Sequence, residues 1–120
     1  MSVLFEGFCM KLESVGEIIA SRKLSLIRKG QELVEVVVLL GKPEKFPDHT
    51  DYYCPYQITG FGREKVMAVG GIDAFQALQL ALNIIGVELE VINRDSGGQL
   101  LWDADDKGDL GFPAPDWSKK

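Results

Sequence analysis

The chain has 120 residues, 46% of them hydrophobic and 26% charged, with a net charge of −5. That length holds one domain around one core, and the composition excludes a disordered or collagen-like chain. Residues 1–65 balance nine basic against nine acidic side chains, whereas residues 66–120 set four against nine. An acidic chain with no basic stripe is repelled by phosphate backbones and anionic membrane surfaces, so no nucleic acid and no membrane is expected as a partner.

No apolar run comes near the roughly 20 residues of a membrane span. The opening MSVLFEGFCMKLESVGE lacks the basic n-region, clean apolar stretch and small-residue cleavage site of a secretory leader, so the expected location is cytoplasmic. Two scattered cysteines, Cys9 and Cys54, are then expected to stay reduced.

Residues 1–16 read as a loosely attached arm with room for one strand. Val3, Leu4, Phe5, Phe8 and Met10 can dock on a core, but Gly7 and Gly16 weaken any regular element. From Glu17 the pattern is β. Ala20, Leu24 and Leu26 share a face, separated by Ser21, Lys23 and Ser25. Arg28-Lys29-Gly30-Gln31 is a turn, and Leu33 to Leu40 is a β-branched run suited to a buried strand, which together make a hairpin. Gly41 to Asp51 is a loop by composition, long for a compact domain. Tyr52, Cys54, Tyr56 and Ile58 alternate as a third strand. Pro55 inside it donates no N–H, which predicts an edge strand or a bulge. Gly60-Phe61-Gly62 turns into a fourth strand, Lys65 to Val69, and Gly70-Gly71 ends it.

Asp73 is placed to cap a helix running from Ala74 to about Ile92. On that helix Gln76, Gln79, Asn83 and Glu90, with Gly86, recur as one polar stripe. Everything else on it is apolar apart from Glu88. So wide an apolar circumference needs cover on two sides. Beyond a turn at 93–98, residues 99–102 form a short fifth strand. Residues 104–120 make an acidic tail rich in Gly and Pro, with Leu110-Gly111-Phe112-Pro113 and Trp117 as anchors. The fold predicted is a single α+β domain over 1–120: an antiparallel sheet of four or five strands with one long helix packed on one face.

No catalytic, cofactor-binding or metal-binding residue is assigned. His49 with Cys54 has the composition of a nucleophile and its base, but a cysteine between core tyrosines is inert. Zinc wants four close Cys or His ligands, and the chain has three such residues in all. The run Asp103 to Asp109 suggests a calcium loop but puts Lys107 at its fifth position and Ala114 at its twelfth. Gly60-Phe61-Gly62 lacks the third glycine of a dinucleotide fingerprint. Gly70-Gly71 stands where anions bind, but Asp73 places a negative charge there.

Three stretches, DYYCPYQITGFG, GGIDAFQALQLALNIIG and LGFP, together resemble a family of small bacterial proteins classed as a domain of unknown function, over about Glu17 to Pro113. The resemblance implies a bacterial, cytosolic source and a shared fold, and carries no catalytic residues. The function expected is a non-enzymatic protein-binding module, acting as a homodimer or as the protective partner of another protein. Its contact surface is Gln76, Gln79 and Asn83 on the helix with Tyr52, Tyr53 and Tyr56 near the sheet edge. The alternative is a small-ligand-binding protein or small enzyme. Its pocket would lie near the 41–51 loop, with His49, Asp51, Tyr52 and Tyr53 as polar anchors.

Overall fold

The computed structural model describes residues 9–47, 49–60, 64–102 and 109–113, with 9–11 described by backbone alone. Its elements are β1 (Cys9–Leu12), β2 (Ile18–Arg28), β3 (Val34–Gly41), β4 (Glu44–Lys45), β5 (Tyr52–Thr59), β6 (Val66–Gly71), α1 (Ala74–Asp95) and β7 (Gly98–Leu101). Six strands lie in the order β1-β6-β5-β3-β2-β7, every pair antiparallel, and the two-residue β4 joins β5. The α+β class, the β2–β3 hairpin, the fifth predicted strand and the long helix are all present. The predicted strand count of four or five falls short because β1 lies within the arm and β4 within the loop.

Alternation along each strand builds the core. Leu24 faces Val36, Val38 faces Ile58, Leu40 faces Tyr56, Cys54 faces Val69 and Leu26 faces Leu100. All ten are buried on the side that receives α1. The helix lays Ala77, Ala81, Ile85 and Leu89 against them, a stripe at four-residue spacing with no exposed surface. Burying Ile85 or Leu89 contributes about 1.5–3 kcal/mol each. Asp73 caps the helix as its sequence predicts, its carboxylate accepting from the Gln76 N–H at 2.8 Å. Gln76 answers by accepting from the Ile72 N–H, close to a reciprocal capping box.

Three expectations need correction. β5 is a central strand, flanked by β3 and β6, although it contains Pro55. The ladder to β3 ends at Leu40↔Tyr56 and the ladder to β4 begins at Tyr53, so Cys54 and Pro55 fall in a gap on that side. The missing N–H is accommodated there, which is why a proline survives inside the sheet. The glycine pair does not end β6 but belongs to it. Gly71 is buried, and any Cβ there would collide with the backbone of Ala77, so the bare position lets the helix start against the strand. Finally, α1 extends to Asp95, and by length and mean hydropathy (1.4 over an 18-residue window) it meets the criterion for a bilayer span. Core helices pass the same test, and four residues of this one are sealed against the sheet.

Cys9 and Cys54 both pair with Val69, from opposite sides. Two strand spacings, roughly 10 Å, therefore separate them, beyond the reach of a disulfide. The expected anchors Leu110 and Phe112 pack on the core. Phe61, Trp117 and residues 103–108 of the acidic run lie outside the described residues.

Candidate ligand-binding cleft beside the helix

The helix crosses the sheet obliquely, from β6 at its start to β7 at its end, and leaves two flanks to be covered. On one flank the chain covers itself. Residues 110–113 pass over Gly86, where an added Cβ would lie 2.5 Å from the Pro113 carbonyl oxygen and 3.3 Å from the Phe112 Cβ. Gly86 in the helix interior costs about 1 kcal/mol against alanine, and here it admits the strap. Arg22, on the helix-facing side of β2, fastens it. Its Nη1 donates to the carbonyl oxygens of Leu110 and Gly111, both at 3.1 Å. Its guanidinium carbon lies 3.8 Å from the Trp102 ring centroid and 4.9 Å from that of Phe112, favourable cation–π geometry.

The other flank is open. A cleft of about 780 Å³ runs between the C-terminal half of α1 and strands β2, β5 and β6. Leu26, Ile58, Met67, Val87, Val91 and Ile92 supply its apolar walls. Tyr56, Glu88, Arg28, Lys65, Asp95 and Ser96 supply the polar ones. The volume is that of a small-molecule site, while polar and apolar side chains share the lining equally. The helical stretch from Val87 to Ser96 is about 13 Å long at 1.5 Å per residue, so the cleft is elongated.

The polar groups are unequally satisfied. The Tyr56 hydroxyl, on a ring that is 1% exposed, donates to a Glu88 carboxylate oxygen at 2.8 Å. Asp95 has Arg94 at 3.5 Å, a solvated pair of little energetic weight. Arg28 differs. Its stem lies across Gly98, its register partner on β7. Its Nε is buried with no hydrogen-bond acceptor, the one such side-chain atom among the described residues. An unmet buried donor costs about 1–3 kcal/mol, more when charged, and each case calls for a physical explanation.

The residues singled out from sequence are dispersed. Tyr56 is core and a wall of the cleft. Tyr52 is half-buried against the core, while Tyr53 belongs to a ring cluster around Phe46, 5.0 Å between centroids. His49 is exposed and meets Phe46 edge-on at 6.2 Å. Asp51 accepts from the Phe46 N–H through its backbone carbonyl, which closes the loop. Gln76 is committed to the cap, Gln79 is exposed and Asn83 half-buried, on the side of α1 opposite its core stripe. Cys54 donates to the Gly41 carbonyl oxygen at 3.5 Å. Burial pushes its thiol up to about 12, so at neutral pH it is a core thiol and not a thiolate.

Arg28, Glu88, Lys65 and Met67 were not singled out by sequence as a site. Two signals for them are present nonetheless. Glu88 is the one charge inside the apolar sector of α1, and Arg28 continues the inward series Leu24, Leu26 on β2.

Architecture and cleft together define an α+β domain with an open groove between helix and sheet. The chain belongs to the family described as Domain of unknown function (DUF6968), whose model matches residues 20–114. Searches among curated proteins and among solved structures find no match.

Proposed function

We propose that this protein binds a small, largely apolar molecule in the cleft beside the C-terminal half of α1. The observation that carries this reading is an open groove of about 780 Å³ whose apolar lining, Leu26, Ile58, Met67, Val87, Val91 and Ile92, is left uncovered by the chain. A domain of this size normally closes such a space, as the strap does on the opposite flank. Methyl-resolved NMR with a library of small chain and ring compounds tests it. Binders should shift the Val87, Val91, Ile58 and Met67 methyls before any others. A library that shifts none of them, or shifts methyls elsewhere first, removes the reading.

A second reading, the protein-binding or homodimeric module, is supported by a separate observation. Ile72 and Phe75, at 58% and 77% exposure, stand beside the helix cap next to exposed Gln79. Paired copies would cover both side chains. Sedimentation velocity over a wide concentration range should then show a dimer that Phe75→Glu and Gln79→Arg each abolish. A monomer at every concentration removes it.

A further inference from the structure

We infer that β1 is exchanged between two copies of this chain, each copy's Cys9–Leu12 completing the other's sheet beside β6. The observation behind this is the link from β1 to β2. Four antiparallel steps, β1-β6-β5-β3-β2, separate the two strands, so they run parallel with three strands between them. Parallel strands are normally joined by a crossover of roughly a dozen residues or more. Here the crossover is Glu13 to Glu17, five residues. Register fixes what they must span. Leu12 lies opposite Val66, Val66 opposite Gln57, Gln57 opposite Leu39 and Leu39 opposite Ser21. Leu12 is therefore level with Ser21 and four strand spacings, about 19 Å, away across the sheet. The link must also return three residues along β2 to Ile18, about 10 Å. On a flat sheet the straight path is about 21 Å. Six Cα–Cα steps reach about 20–22 Å when fully extended.

The link is not fully extended. The Gly16 N–H donates to the Ser14 hydroxyl at 3.0 Å, and Gly16 takes a positive φ of 77°. Val15 is buried against Gly41, beside Pro55. In this structure the link closes within one chain only because the sheet curls, and it has no length to spare. Delivery of β1 to a second copy keeps every β1–β6 pairing and lifts that demand on the sheet. A short hinge is the condition that favours exchange of an element between copies. Glu13 and Ser14, both exposed, are the hinge, and Val15 keeps its seat on its own chain. The strand is also separable, since the family match begins at Ala20 and does not include it.

Sedimentation velocity compares the full chain with a form carrying about six extra Gly and Ser residues between Glu13 and Ser14. The full chain should sediment as a dimer. The lengthened link has slack to close on itself and should give a monomer. Phe75→Glu should leave the dimer intact, which separates strand exchange from pairing through the start of α1. Leu12→Cys with Val66→Cys, in a Cys9→Ser background, gives a covalent readout. Register partners stand about 4.5–5.5 Å apart, within disulfide range. Oxidation should therefore join two chains when the link is native and close one chain when it is lengthened. A full chain that is monomeric at every concentration overturns the inference. So does a dimer that the lengthened link retains or that Phe75→Glu dissolves, and so does a native-link product oxidised within one chain.

Discussion

Arg22 and Arg28 stand six residues apart on β2, on the same face of the sheet and under the same helix. Their surroundings are opposite. Arg22 meets two backbone carbonyls and two aromatic faces and closes its flank. Arg28 lies along Gly98 with a buried Nε that has no acceptor, beside an open groove. One strand therefore offers the same cation to the two flanks, and the difference lies in what the chain supplies to it. The LGFP segment brings carbonyls to Arg22. Nothing among the described residues does so for Arg28. Arg22 is saturated and acts as a structural clasp, whereas Arg28 is left unsaturated beside the cleft.

Substitutions can break that contrast, and the largest effect is expected at Arg22. Arg22→Met should lower unfolding stability by about 2–4 kcal/mol, since two charged hydrogen bonds and the ring contacts go together. Urea denaturation followed by circular dichroism measures this, and a loss under about half a kcal/mol would mean the strap is not held by that side chain. Gly86→Ala comes next. The added methyl meets the Pro113 carbonyl, and displacing the strap should outweigh the roughly 1 kcal/mol gained in helix propensity, for a net loss of about 1–2 kcal/mol. A stabilised variant would show that the strap is not seated on Gly86. Glu88→Gln should cost about 1 kcal/mol or less, because the amide oxygen still accepts from Tyr56 but without charge assistance. Arg28→Met should be neutral or slightly stabilising in the unliganded protein, since it removes a buried donor that has no partner. If Arg28→Met destabilises as much as Arg22→Met, the two flanks are equivalent and the contrast is gone.

Much of the fold is legible in the sequence because its signals are local. The β2–β3 hairpin follows from alternation around a glycine turn, and α1 follows from Asp73 and a run with helical spacing. Pro55 misleads because the rule assumes an unbroken ladder, and the gap between β3 and β4 is set by where other strands stop. Gly70-Gly71 misleads for a similar reason: the glycines answer to the approach of Ala77, a contact made across the helix start. The amide stripe is legible as a polar face, yet its meaning is settled by packing. Gln76 caps, and Gly86 admits the strap. The cleft is the least legible part. Its walls come from β2, β5, β6 and α1, and no single stretch carries more than a fragment of it. Glu88 within the apolar sector and Arg28 at the end of an inward-facing series are the traces it leaves.

The family match begins at Ala20, after β1. Within the matched span β6 is therefore the last strand on its side of the sheet, and Cys9–Leu12 adds one more strand beside it, in register from Val69 to Val66. An uncovered strand end-on to solvent offers a row of free amide and carbonyl groups to any other extended chain. β1 is thus an edge guard supplied from outside the family core. Chains trimmed to that core would present the six residues Val66–Gly71 as a template for strand swapping and fibril growth, in place of the shorter four-residue edge of Cys9–Leu12.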